Sequence, residues 1–200
     1  MVLQPAVHHL QIGVGVRMLR PRINTAGLAA VAGFLPLLFG EVQGMNMFPI
    51  GLVILCLNTP ICTLLSCDPD LEQAIRVLPG QAGRFCRKYC LFIFAINSIV
   101  ACIYLCSWQL INGGAGFFHG ITLLLFALQS AILSVVLEWR YPIRGWKTES
   151  DLWHHPRKYL VPLIMLLAAA LVGIWPPALW IWAAALLTEC CVLLVVTRRD

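Results

Sequence analysis

The chain has 200 residues, of which 60% are hydrophobic and only 12% charged, with a mean hydropathy of +0.84. This excludes an ordinary soluble domain, which needs a charged surface, and points to a chain embedded in a bilayer. The net charge of +5 is not a nucleic-acid signal; it reads as the Lys/Arg excess that polytopic proteins keep on the cytoplasmic side, facing an anionic inner leaflet.

Residues 1–22 lack the continuous apolar core and small-residue cleavage site of a signal peptide, so none is expected. Leu3, Val7, Leu10, Val14 and Met18 recur at helical spacing, with His8, His9, Gln11 and Arg17 elsewhere on the wheel. The pattern predicts an amphipathic helix lying on the inner leaflet. A strand-like alternation of Leu10, Ile12, Val14 and Val16 competes with it, and Gly13 and Gly15 weaken a helix.

Six apolar spans follow, at roughly 23–40, 46–66, 86–110, 116–138, 159–175 and 177–197. Arg17, Arg20 and Arg22 precede the first span. Arg76, Arg84, Arg87 and Lys88 lie between the second and third. Arg140, Arg144, Lys147, Arg157 and Lys158 lie between the fourth and fifth, and Arg198 and Arg199 follow the sixth. All fourteen Lys and Arg residues therefore fall on one side. The expected fold is an all-α polytopic membrane protein with six transmembrane helices and both termini cytoplasmic. Its parts are an interfacial amphipathic helix over 1–22, a six-helix domain over 23–197 with cytoplasmic loops at 67–85 and 139–158, and a tail over 198–200.

Ala26, Ala29, Ala30 and Gly33 in the first span suit close helix packing, as do Ala168–Ala170 with Gly173 and Ala183–Ala185. Pro36, Pro60 and Pro162 interrupt helices; simple bends explain Pro36 and Pro60 better than hinges along a substrate path. Outer connections are minimal: Glu41–Asn46, Asn112–Ala115 and the Pro176–Pro177 corner. Trp108, Trp175, Trp180 and Trp182 fall at predicted outer ends and Trp139, Trp146 and Trp153 in an inner loop, as interfacial anchors do.

The loop after the second span reads Asp68-Pro-Asp-Leu-Glu-Gln-Ala-Ile-Arg-Val-Leu-Pro-Gly80. Asp68 caps a helix, Pro69 suits its first position, and Asp70 and Glu72 complement the helix dipole. Leu71, Ile75 and Leu78 share one face, and Pro79-Gly80 stops the helix. An exposed apolar stripe of this kind seats against something. Spacing alone leaves a docking partner, the lipid surface and the chain's own second loop equally open.

The loop over 139–158 gathers three tryptophans, basic residues, His154 and His155. Thr148 or Ser150 caps a short helix with Glu149 and Asp151 in its first turn. Adjacent histidines point to different helix faces, so no metal site is expected. The aromatic and basic residues read as lipid anchors rather than a nucleic-acid surface, and inner-leaflet headgroups are compatible partners.

Glu189 is the one acidic residue read as lying well inside a span, where a carboxylate costs about 2.5–3.5 kcal/mol to insert. It must face the bundle interior, a dimer interface or water. Contact with a cationic substrate or a proton, and pairing with Thr188, Thr197, Gln129 or Asn97, are equally open readings. Asn97, Gln109, Asn112 and His119 read as helix glue. The nine cysteines offer no outside disulfide framework. Cys86/Cys90 and Cys102/Cys106 are explained better as small polarizable residues at helix contacts than as metal or redox pairs. No phosphate loop, nucleophile elbow or zinc-protease motif occurs, so the chain itself is not expected to be an enzyme.

The order of acidic residue, short helix, Leu78-Pro79, then Arg84, Arg87 and Lys88 resembles the permease subunits of bacterial ABC-2-type exporters. The six-span layout, inside termini, N-terminal interfacial helix and length are also similar to that family's small members. The Pro176–Pro177 corner departs from it, leaving no room for the re-entrant outer helix of many relatives. The resemblance implies that Leu71, Glu72, Ile75, Leu78 and Pro79 form a coupling helix seated in an ATP-binding cassette subunit. Asp151 and Trp153 would belong to a second contact segment over Ser150–His155. It further implies pairing with a second permease copy, identical or related, and a bacterial inner (cytoplasmic) membrane location. ATP and magnesium would be bound by the partner, with no cofactor or metal on this chain. Glu189, Asn97 and Gln129 become candidates for the substrate path, and a peptide or a hydrophobic or amphipathic compound the expected cargo. Two rivals are an intramembrane enzyme acting on lipid and a non-catalytic membrane scaffold or immunity protein.

Overall fold

A computed structural model describes residues 23–39, 41–42, 45–67, 73, 75, 77, 81–143 and 156–199. The chain is mostly helical. The first helix, α1 (Ile23–Leu37), tightens into a 3-10 turn over Leu35–Leu37 around a buried Pro36, whose missing N–H cannot continue the α ladder. A two-residue antiparallel ladder follows: β1 (Glu41–Val42) pairs with β2 (Met45–Asn46) in the register Glu41↔Asn46 and Val42↔Met45.

The second predicted span, 46–66, is not one helix. It runs as α2 (Phe48–Gly51), a 3-10 stretch Leu52–Leu57, α3 (Thr59–Cys62) and α4 (Leu64–Cys67). Asn58 (φ −77°, ψ 59°) and Thr63 (φ −120°, ψ 33°) leave the helical region. Pro49 and Pro60 open α2 and α3, where an absent N–H costs nothing.

Long regular helices come next. α5 (Gln81–Ile111) and α6 (Phe117–Arg140) form the most extensive helix pair among the described residues. Their connection turns at Gly113 and Gly114, with φ of +70° and +68°, a backbone that favours glycine. A 3-10 turn over Pro156–Tyr159 leads into α7 (Leu160–Ile174), and the Pro176–Pro177 corner into α8 (Ala178–Arg199).

Three helical stretches are long and apolar enough to cross a membrane: Ala82–Ile111, Phe117–Arg140 and Pro156–Ile174. Ile23–Leu37, Phe48–Leu57 and Ala178–Cys190 are apolar but shorter. Three of the six expected spans are thus full-length among the described residues, and the second is short because its helix is broken. The expected interfacial helix over 1–22 lies outside the described residues, as does most of both expected cytoplasmic loops.

Side-chain exposure is inverted relative to a water-soluble fold. Leu110, Phe117, Leu38 and Phe34 are all more than two-thirds exposed, as a lipid-facing surface requires. The core is centred on the broken segment. Phe48, Leu52 and Leu55 pack with Tyr104 of α5, Phe126 of α6 and Met165 of α7, all fully buried. Trp108, expected as an outer anchor, is buried there instead, its ring 5.3 Å from Phe48. Exposed Trp175 and Trp180 flank the Pro176–Pro177 corner.

The hairpin geometry gathers positive charge. Arg84, Arg87 and Lys88 start α5, Arg140 ends α6, Arg157 and Lys158 start the α7 segment, and Arg198 and Arg199 end α8. All belong to the same end of these alternating helices, here called the basic end.

Candidate functional site

A polar stripe runs down α6 through the core. Ser130, Ser134 and Glu138 are four residues apart and share one helix face, with Gln129 beside it and Thr122 two turns before. All five are buried. In a low-dielectric interior each needs a partner.

Midway along α6, Ser130 Oγ accepts hydrogen bonds from Asn97 Nδ2 of α5 (3.2 Å) and from the Cys56 thiol of the broken segment (3.5 Å). One position away, Gln129 Nε2 donates to Glu189 Oε2 of α8 at 2.7 Å. The three substrate-path candidates therefore fall at one depth but on different contacts. Gln129 and Glu189 meet; Asn97 bonds Ser130 instead.

Toward the basic end, the stripe terminates in Glu138, whose side chain is wholly buried. Glu138 Oε1 accepts the Ser66 backbone N–H at 2.6 Å, while Oε2 is ion-paired with Arg157. Arg157 also donates to the Tyr141 carbonyl oxygen. Ser66 Oγ accepts the Ile143 N–H at 2.8 Å. One carboxylate thus joins α4, the C-terminal end of α6 and the turn before α7. Sequence reading ended the fourth span at Glu138, gave it no role and missed this. The findable signal was the spacing Ser130, Ser134, Glu138 on a helix that continues to Arg140.

Beside this ion pair lies a cavity of about 40 Å³ lined by Cys56, Cys62, Thr63, Ser134, Arg157 and Lys158, among others. That is room for about one water molecule, far below the hundreds of Å³ a substrate needs. Among the described residues no three His, Cys, Asp or Glu side chains gather to hold a metal.

The broken segment is satisfied from outside itself. Tyr104 Oη donates to the Phe48 carbonyl (3.2 Å), and Tyr89 Oη to that of Ile61 (2.6 Å). Asn58, buried at the break, accepts from Asn24 Nδ2 (3.0 Å) and donates to Thr25 Oγ1 (3.1 Å). Asn112 Nδ2 bonds the Pro36 and Phe39 carbonyls, Gln109 Oε1 accepts the Ala115 N–H, and His119 Nδ1 accepts the Gly116 N–H. Tyr104, Tyr89, Asn58 and Asn112 thus cross-link separate elements, while Gln109 and His119 hold the turn between α5 and α6.

Of the expected coupling residues, Ile75 is described. It is helical but only 8% exposed, so the expectation of an exposed stripe fails at this position: Ile75 turns into the chain. Val77, also helical, is 72% exposed. Leu71, Glu72, Leu78, Pro79, Asp151 and Trp153 lie outside the described residues. Cys86 and Cys90 are partly buried at helix contacts, whereas Cys102 and Cys106 are exposed. These two line an open groove of about 600 Å³ on the outward face of α5, with Ser98 and Ser107. The Ser98 hydroxyl oxygen is buried there without a partner.

No protein-family model, curated protein or solved structure matches the chain.

Proposed function

We propose that the chain is the membrane-spanning permease subunit of an ATP-driven exporter, with ATP hydrolysed by a separate ATP-binding subunit. The observation that carries this reading is the helical stretch at the basic end between α4 and α5. Ile75 is buried and Val77 is exposed, a few residues ahead of Arg84, Arg87 and Lys88 in sequence. An exposed apolar side chain on a segment anchored by a buried one gives a partner a point of contact. In this reading the basic end faces the cytoplasm, in line with the retention of Lys and Arg on that side. The shorter apolar helices complete six spans. Two permease copies form the pathway.

The outward groove on α5 supports the second copy. Ser98, Cys102 and Cys106 are small enough for close helix approach. The Gln129–Glu189 contact supplies polarity along an otherwise apolar route, suited to an amphipathic or peptide cargo.

The test is purification in mild detergent from native membranes, with identification of bound proteins and an ATPase assay. The wild-type chain is expected to carry an ATP-binding subunit. Val77→Glu is expected to lose it while the chain stays folded, because Val77 makes little internal contact. Ile75→Glu is expected to lose the fold of this stretch itself. A partnerless wild-type chain overturns the reading.

A further inference from the structure

Both long connections at the basic end, 68–80 and 144–155, are rooted on the same buried carboxylate. Ser66 stands two residues before the first connection, and its N–H is held by Glu138. Ile143 is the last residue before the second connection, and its N–H is held by Ser66 Oγ. Arg157, two residues after the second connection, closes the ring by its ion pair with Glu138 and its bond to Tyr141. Ser66 is 2%, Ile143 5% and Glu138 0% exposed, so bulk water does not compete for the bonds among these three, whereas the Arg157–Tyr141 bond is exposed. The arrangement costs desolvation that an apolar cluster would not incur. A lipid anchor needs no such network, nor does a single connection.

We propose that Glu138 is a positioning residue that locks the roots of both connections together, so that force applied to either moves α4, α6 and α7 as one body. This rests on the exporter reading for the source of the force: ATP-driven closure of the partner would push on the first connection. The tie delivers that push to α6, which carries Ser130 and Gln129, and to α7. α4 also packs on α6, and the tie adds a polar lock to that packing and carries the push on to α7.

The test is amide hydrogen exchange on the full chain in nanodiscs, with its co-purified partner, without and with ATP and magnesium. In the wild type, ATP is expected to change exchange at Ser66 and Ile143 together. Glu138→Gln keeps an acceptor for the Ser66 N–H but removes the charge. It is expected to raise exchange at both amides by about tenfold, as a weakened charge-assisted bond allows local opening. ATP hydrolysis persists in that variant, and its effect on exchange is confined to the Ser66 side. The paired variant Glu138→Gln/Arg157→Gln removes both charges. It recovers yield lost by the single change but not the joint ATP response. A purely structural role would restore both. Faster exchange at only one of the two amides, or an intact joint response in folded Glu138→Gln, overturns the tie. If no ATP-binding subunit co-purifies, the exporter reading fails. The exchange of the lone chain then still decides whether the two roots are locked.

Discussion

The α5–α6 hairpin and the segment Phe48–Cys67 are both apolar, and their backbones are opposite. α5 runs unbroken for 31 residues and α6 for 24. Each closes its own hydrogen-bond ladder and offers the neighbouring element only side chains. The Phe48–Cys67 segment changes from α to 3-10 and is interrupted at Asn58 and Thr63. It lends backbone groups to others: Phe48, Ile61 and Ser66 are bonded by Tyr104, Tyr89 and Glu138. In a membrane, irregular backbone survives only where protein covers it, and most described side chains of this segment are buried. The hairpin can face lipid because it needs nothing. The broken segment is confined to the centre because it needs a donor or acceptor at every interruption.

Substitutions sharpen this contrast. The largest effect is expected at Glu138. Glu138→Ala removes the acceptor for Ser66 and leaves Arg157 without its carboxylate, costing about 4 kcal/mol, the range for breaking a buried pair. Equilibrium unfolding in detergent micelles measures it; a loss under about 1 kcal/mol would place the ion pair in contact with water. Next is Gly51, where an added Cβ would lie 2.1 Å from Tyr104 Oη, on a side chain with no exposure and no room to withdraw. Gly51→Ala is expected to cost about 3 kcal/mol by overpacking, read as a fall in thermal midpoint.

Tyr104→Phe tests the borrowed bonds with almost no change of shape. It leaves the Phe48 carbonyl unsatisfied at a cost of about 1–2 kcal/mol. Tyr89→Phe does the same at Ile61. If both tyrosine changes are neutral, the broken segment satisfies itself and the comparison collapses. The smallest effect is on the regular side. Gly120 in α6 has nothing within 4 Å of an added Cβ. Gly120→Ala is therefore expected to be neutral or stabilising by up to about 1 kcal/mol through helix propensity. The same Gly→Ala change thus has opposite signs in the two regions.

Sequence reading located the long helices well because their ends are written in local chemistry. Expected spans of 116–138 and 159–175 compare with α6 at Phe117–Arg140 and a helical stretch at Pro156–Ile174. Lys, Arg, glycine pairs and the Pro176–Pro177 corner mark those ends. Pro60 flagged the break in the second span. Its extent was not legible, because hydropathy counts apolar side chains and is blind to backbone geometry. Glu138 was passed over for a related reason: a charge at the end of an apolar run looks like a span boundary and nothing more. Only the fold brings Arg157 back to it. Ile75 and Trp108 share the error. Their apolar surfaces suggested a partner and an interface, and both are used internally. The pairing of Glu189 with Gln129 was among the readings the residues left open, and geometry selected it.

The separations of the borrowed bonds carry a consequence for synthesis. Tyr89 lies 28 residues beyond the Ile61 carbonyl it satisfies, Tyr104 lies 56 beyond Phe48, and Glu138 lies 72 beyond Ser66. When Phe48–Cys67 emerges from the ribosome, these groups have not emerged with it. Released alone into lipid, the segment would expose bare carbonyl and amide groups, so it has to wait at the insertion machinery. It can partition only together with the hairpin that follows. The order of translation therefore makes the first half of the chain a client of the second.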